Sequence, residues 1–389
     1  MPAKKIKWIF ALGIALVCLN TPASYAFQGK HSGGGPVQAW EQTPVFEQSL
    51  RIRPFPYGFT TWPFAATVQA QSDLMNLIRA NSTFYVEHID DALPWGAALY
   101  NQPFPAEFVR NIEAKRARRL ADRPLLLSLN PLNTDRSAFV DDVEGALPIA
   151  LAGKPMDDPA YIQAYTNYCI WMIDRFAPTY VLSAIESNDL LKQNPDDWPA
   201  FDRFSRAVMS ALKTRYPNIQ FGESLALHTF TNTNGPGVTQ SFRDTIKAHI
   251  ENFDFVGISY YPLFGGDFSQ AQWDAAFDFI RTWTDKPLAI TESGHPAEPL
   301  VVDEFKLNIP FSPQDQADFL CTLLRHATQD NYQFAVWWEA RDFDKLLPAL
   351  PASSQSLAKI FRDMGLWDGQ GKGRLSLEIW RGHSGQCSW

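Results

Sequence analysis

Eight short runs of apolar and aromatic residues recur along the chain, and a polar cluster follows each of them. They are PYGFTTW (56–62), TFYVEHI (83–89), PLLLSLN (124–130), YVLSAIE (180–186), IQFGESLALH (219–228), FDFVGISYY (253–261), PLAITES (287–293) and QFAVWWE (333–339). Runs of this length, rich in β-branched and aromatic residues and bounded by turn formers, predict strands. Between them the apolar spacing changes to that of a helix. Residues 199–216 place Phe201, Phe204, Ala207, Val208 and Leu212 on one face. Residues 312–327 open with Ser312 as N-cap and Pro313 behind it, a helix start. Eight strand–helix units predict a single-domain (β/α)8 barrel over residues 51–380 rather than an open doubly wound sheet. An open sheet of that kind usually carries a Gly-rich phosphate turn, and neither GxGxxG nor GxxxxGK[ST] occurs.

The chain's beginning breaks this rhythm. Lys4, Lys5 and Lys7 precede an apolar stretch from Trp8 to Leu19, and Ser24 and Ala26 supply small residues for cleavage. That is the layout of a secretory leader over 1–26, too short to span a bilayer. A Gly-rich linker (27–50) follows, and 381–389 forms a short tail. Export to a periplasm or beyond the cell is the expectation, with no stable membrane insertion after leader removal. The formal charge is −8, and losing the three leader lysines leaves −11. An acidic chain without a basic footprint is a poor nucleic-acid binder. Beyond Cys18 there are Cys169, Cys321 and Cys387, without CxxC spacing. In an exported protein one disulfide is expected, and Cys321–Cys387 would staple the tail. The oligomeric state is not legible.

In a barrel of this type the chemistry lies where strands end at their C-terminal edge. Those ends supply Trp62, His88, Asp90, Asn130, Asn133, Arg136, Glu186, Asn188, His228, Tyr260, Tyr261, Glu292, His295, Trp337, Trp338 and Glu339. Glu186 and Glu292 form the informative pair: each closes an apolar run and precedes small polar residues, SND and SGH. Two carboxyls flanking a glycosidic oxygen are what glycoside hydrolysis needs, one protonated to donate and one ionised to attack or to activate water. Trp62, Trp95 and one of Trp337 and Trp338 are candidate sugar platforms. Tyr260 and Tyr261 alternate likewise, so one of them faces the mouth; Tyr260 and Trp337 are taken into the substrate-binding set. Asp90, Asn130, Asn188 and the histidines His88, His228 and His295 complete that set. The three histidines raise a metal-dependent hydrolase as an alternative, although HxH and helix-spaced ligand pairs are absent. No metal or other cofactor is called for by the glutamate chemistry. Glu223 is read as a barrel-bottom or surface group, and the basic run 115–119 as a solvated helix face.

TFYVEHIDDALPW, LSLNPLNTDR, LSAIESNDLL, FVGISYYPLF, PLAITESGHP and FAVWWEARDFD together resemble the glycoside hydrolase clan with acid/base on strand four and nucleophile on strand seven. Within it the chain is most similar to arabinogalactan endo-1,4-β-galactanase-like proteins, over about residues 54 to 380. SYYP (259–262) and TESG (291–294) are the most specific pieces. The resemblance implies that Glu186 is the acid/base, Glu292 the nucleophile, and that configuration is retained at the anomeric carbon of a carbohydrate substrate. One position departs from it. The clan places Asn directly before the strand-four glutamate, bonded to the sugar 2-hydroxyl, and here that residue is Ile185. Asn130 and Asn188 are the nearest substitutes, and a non-catalytic carbohydrate-binding barrel becomes an alternative.

Overall fold

The computed structural model describes residues 53–231, 238–382 and 387, so the expected leader and linker lie outside the described residues. Ten strands occur in it: β1 (Tyr57–Phe59), β2 (Tyr85–Ile89), β3 (Leu125–Leu129), β4 (Tyr180–Leu182), β5 (Gln220–Ala226), β6 (Phe255–Tyr260), β7 (Leu288–Ser293), β8 (Leu300–Val302), β9 (Leu307–Ile309) and β10 (Ala335–Trp337). Eight of them form one sheet in the order β1-β10-β7-β6-β5-β4-β3-β2, with every ladder parallel. The remaining side, between β1 and β2, is drawn together by the Thr83 and Phe84 amides, which donate to the Tyr57 carbonyl at 2.8 and 3.1 Å. Gly58 permits this approach, since a Cβ there would run into the Phe84 carbonyl oxygen. Long helices, among them Pro159–Phe176, Trp198–Arg215 and Pro313–Gln329, alternate with the strands. The last begins on Ser312, whose side chain and that of Asp315 form a reciprocal capping box. The architecture is the (β/α)8 barrel that the alternation of periods predicts.

Strands buried on both faces read as nearly continuous apolar runs, and their side chains alternate between barrel interior and helix layer. Phe84, Val86, Leu126, Leu182, Phe255, Ala289, Phe334 and Val336 fill the interior as one cluster. Polar residues pointing the other way are buried beneath the helices. Glu223 is such a residue: it bonds Ser205 and His249 and is 1% exposed, so it is neither at the barrel bottom nor on the surface. Nor is the basic run simply a solvated face. Arg118 Nη2 reaches the buried Glu87 at 2.6 Å, and Lys115 Nζ lies 3.8 Å from the same carboxylate.

Two insertions have no counterpart in the sequence reading. The β8–β9 hairpin follows β7, and three short helical segments from Leu347 to Phe361 follow β10. Their apolar residues, including Leu300, Val302, Leu307, Leu357 and Phe361, pack as one cluster with Tyr261 and Trp338. The Cys321–Cys387 disulfide is present, with the Cα atoms 5.5 Å apart. Cys169 is a free, buried thiol that burial pushes up, so it is no nucleophile.

Candidate active site

Stepping two residues at a time from the interior cluster identifies what faces the mouth. Phe84 and Val86 lead to His88, Leu126 to Asn130, Phe255 to Ser259 and Tyr261, and Phe334 and Val336 to Trp338. β7 does not follow this count. Its pairing with β6 runs Ala289↔Gly257 and Ile290↔Ile258, then skips Thr291 to pair Glu292 with Ser259. That one-residue bulge turns Glu292 to the side that Thr291 would otherwise have taken, into the barrel.

Glu186 arrives differently. β4 ends at Leu182, and residues 183–187 bend away from regular strand geometry while still bonded to the backbone of β5. Glu186 itself takes φ 52°, a left-handed conformation that costs a non-glycine residue roughly 1–2 kcal/mol. Neighbouring strands hold it there. Ile185 N donates to Asn130 Oδ1 at 3.1 Å, Glu186 N to Ser224 Oγ at 2.9 Å, and Ser187 N to the Ser224 carbonyl at 3.0 Å.

The two carboxyls share one environment. Ser259 Oγ donates to Glu186 Oε1 at 2.7 Å. Tyr261 OH donates to Glu292 Oε2 at 3.3 Å. Arg136 Nη2 lies 3.5 Å from Glu186 Oε2 and 2.9 Å from Asp90 Oδ2. Burial raises both glutamates, and they repel one another; Arg136 opposes the rise, and Glu292 still reaches about 8. Glu292 therefore keeps its proton near neutral pH. Burial drives His88 down to about 4, so it is neutral there and offers one donor and one acceptor. Its ring stands between those of Trp62 and Trp338, with centroids at 6.4 and 5.6 Å.

Of the residues expected at the site, Glu186, Glu292, Trp62, His88, Asp90 and Asn130 come together. His228 is buried at the end of β5 beside Phe264, with Asp189 and Lys192 in electrostatic reach. Five do not join the mouth. Trp95 is 1% exposed among Phe139, Tyr161 and Tyr165, leaving no face for a sugar. Tyr260 points to the helices, its ring against Phe277 and Phe319, and Tyr261 is the one that meets Glu292. Trp337 is likewise outward, its Nε1 donating to the Met364 carbonyl, and Trp338 is the inward member. His295 packs against Trp273, Phe311 and Phe319, away from His88, so the three histidines do not form a metal site. Asn188 uses both ends of its amide on the backbone of Ala226. Asn130 is also committed to protein partners, Ile185 N, Leu132 and Asp90, so neither asparagine is a ready donor in place of the one missing at Ile185.

Arg136, Tyr261 and Trp338, counted among the strand ends but left out of the substrate-binding set, belong to the site, as does Ser259, which was not counted. Alternation counted from Phe255 and Phe334 finds the last three. Arg136 sits on the loop after β3, where strand alternation no longer tells which way a side chain points.

Among the described residues one further acidic group, Glu298, Asp342 and Asp363, has carboxylate oxygens within 4.8 Å of one another. Arg374 bonds Glu298 and Asp342, and Arg362 chelates Asp363, so arginines already neutralise it.

The sequence matches the model of glycosyl hydrolase family 53 over residues 165–373, more than half of the chain's 389 residues and a span that includes both glutamates. No curated protein sequence matches it. Among solved structures it resembles the family 53 catalytic domain of Ignisphaera aggregans at TM-score 0.53 and 17% identity, covering 80% of this chain and 88% of that one. Fungal β-1,4-galactanases superpose at TM-score 0.53 and 16% identity, covering 79% of this chain and 90% of theirs. The exo-β-1,4-mannosidase of Opitutaceae bacterium strain TAV5 does so at TM-score 0.56 and 14% identity, over 85% of this chain. The chain spans 59% of that mannosidase's length. At such identities the likeness concerns the fold.

Proposed function

The chain belongs to glycosyl hydrolase family 53, and from that premise we propose that it hydrolyses a β-linked polysaccharide or oligosaccharide with retention, through Glu186 as acid/base and Glu292 as nucleophile. The observation that carries this reading is the pair of buried carboxyls brought to the mouth from different strands, Glu186 bonded by the Ser259 hydroxyl and Glu292 by the Tyr261 hydroxyl. A pair sharing one proton is the state that a retaining reaction starts from. Glu186 donates the proton to the leaving oxygen while Glu292 attacks the anomeric carbon. Glu186, now a carboxylate, then takes a proton from water as that water displaces the sugar from Glu292. In the empty site Arg136 favours charge on Glu186 and so the proton on Glu292. The reactive form is the one with the proton on Glu186 and the charge on Glu292. Trp62, Trp338 and His88 form the apolar and hydrogen-bonding wall on which a sugar ring would rest.

Covalent trapping tests the assignment. The protein is incubated with 2-deoxy-2-fluoro-β-glycosyl fluorides of galactose, mannose and glucose, and the labelled peptide is mapped by mass spectrometry. Label on Glu292 is expected; label on Glu186 would reverse the two roles. A panel of β-1,4-galactan, β-mannan and β-glucan then screens turnover. If nothing is labelled or cleaved while Glu186→Gln still binds a glycan, the barrel is a binding protein and the enzymatic reading is lost.

A further inference from the structure

Arg136 is 5% exposed and itself takes a left-handed backbone conformation, φ 58°. Its terminal nitrogens are clamped by Asp90, Nη1 to Oδ1 at 3.3 Å and Nη2 to Oδ2 at 2.9 Å, and Nη1 also donates to the Asn133 carbonyl at 3.1 Å. Nη2 lies 3.5 Å from Glu186 Oε2, while Nε is buried without a hydrogen-bond partner. Asp90 accepts a further bond from Asn130 Nδ2 at 2.6 Å, and Asn130 Oδ1 receives Ile185 N at 3.1 Å. One carboxylate thus fixes both the cation beside the Glu186 side chain and the backbone immediately before it.

We propose that Arg136, held by Asp90, is a positioning residue that serves as the fixed counter-ion for a single negative charge moving between Glu292 and Glu186 during turnover. The inference rests on the retaining reading above, and the charge balance of that reaction motivates it. Before attack the charge is on Glu292 and Glu186 carries the proton. After attack Glu292 is a neutral glycosyl ester, and Glu186, having given its proton to the leaving oxygen, carries the charge. Hydrolysis returns the proton from water to Glu186 and the charge to Glu292. The pair keeps one negative charge at every stage, so one stationary cation serves both steps. Burial works against the guanidinium's charge, but Asp90, Glu186 and Glu292 outweigh it, in that order. Asp90 holds the cation in place while Glu186 changes charge, and its orientation survives the moment when Glu186 is neutral. The groups facing Glu186 are Arg136, Asp90, Asp189 and Ser259, with Glu292 and Tyr261 across the mouth. Arg136 is the only cation among these.

The test is the pH dependence of the pair, read in two ways. Glutamate carboxyl carbons are labelled with carbon-13 and titrated by NMR, with assignments from Glu186→Gln and Glu292→Gln, and kcat/KM is profiled against pH on whichever glycan is cleaved. A nearby cation stabilises the ionised pair, so Arg136→Met is expected to move both titrations, and both limbs of the activity bell, upward by about one pH unit or more. Arg136→Met with Asp90→Asn removes both charges of the ion pair, avoids an orphaned Asp90, and is expected to move them the same way by less. Arg136→Lys keeps the charge and loses the fork; the bell should stay within a few tenths of a unit while kcat falls. If all three variants fold, lose rate and leave the titrations and the bell where they were, Arg136 is merely structural and the proposal is overturned. The NMR titration needs no turnover. If no glycan is cleaved the retaining reading fails by itself, and an unmoved titration in Arg136→Met would separately remove the counter-ion.

Discussion

Glu186 is the residue where backbone, charge and hydrogen bonding meet. A glutamate rarely adopts a left-handed φ, and three backbone bonds to Asn130 and Ser224 hold it there. The side chain is thereby set before any sugar arrives, and a site organised in advance has little to rearrange in the transition state. Ser259 and Tyr261 complete the setting, one hydroxyl on Glu186 and the other on Glu292. Ser259→Ala removes a donor that favours the ionised form of Glu186. Its activity bell should move to higher pH and kcat should fall, and a pH–rate profile against Tyr261→Phe reads the difference. Tyr261→Phe loses a hydrogen bond to a charged group that is worth roughly 1.5–3 kcal/mol, so kcat/KM should drop about 10- to 100-fold with the fold intact. An unchanged kcat/KM in that variant would show that Tyr261 only packs against Trp338 and Phe361.

At the scale of elements, eight strands were legible because each is a short apolar run with turn formers on both sides. Which side chain faces the mouth was less so. Tyr260 against Tyr261 and Trp337 against Trp338 are chemically alike, and only a register anchored on Phe255 and Phe334 separates them. Glu292 would fail even that count, since the bulge at Thr291 shifts the parity of β7 and leaves no mark in TESG. The outward faces carry a polar network of their own. His249 lies 3.0 Å from Glu223 and 2.6 Å from Asp202, joining β5 to the helices Trp198–Arg215 and Gln240–Ile250. Burial works against a charged ring there, yet Glu223 and Asp202 prevail and raise His249 to about 9. Its folded value thus exceeds the unfolded one, near 6.5. The stabilisation is complete below about pH 6.5 and is lost as the pH rises through about 9. Thermal melts should show the midpoint falling over that window. His249→Ala leaves Glu223 buried without its partner, should cost about 3–5 kcal/mol, and should flatten the fall. An equally steep fall in the variant would assign the pH dependence to other groups.

Over the whole molecule, the alternation of strand and helix predicted a parallel sheet buried on both faces, and eight such units without a Gly-rich phosphate turn pointed to a closed barrel rather than an open sheet. The insertions after β7 and β10 were not legible: their segments are short, and their apolar residues serve one another and the mouth rather than a periodic face. They build a wall against Tyr261 and Trp338, the two aromatic residues nearest the chemistry on that side. Truncating Phe361, which touches both rings, should therefore cost about 3–5 kcal/mol and also lower kcat/KM, linking a remote packing change to the site. The tail is tied down by other means. Cys387 is bonded to Cys321 on the helix Pro313–Gln329, across a sequence separation of 66 residues. Just before it, Trp380 Nε1 donates to the Asn81 carbonyl at 2.8 Å, and Arg53 Nη2 to the carbonyls of Ile379 and Trp380 at 2.8 and 2.9 Å. The last helix thus closes the seam between the two ends of the barrel, and the disulfide lies immediately beyond it. A bridge suits the oxidising compartment that we propose from the leader. Closing a loop of this length restricts the unfolded chain by about 4 kcal/mol in the chain-entropy account. Cys387→Ser should lower the melting midpoint by several degrees, and reductant should do the same to the wild type but not to the variant. Because the contacts of Trp380 and Arg53 survive in Cys387→Ser, the glutamate titrations and kcat/KM at moderate temperature should be unchanged. A loss of activity well below the melting transition would mean that the staple also shapes the mouth.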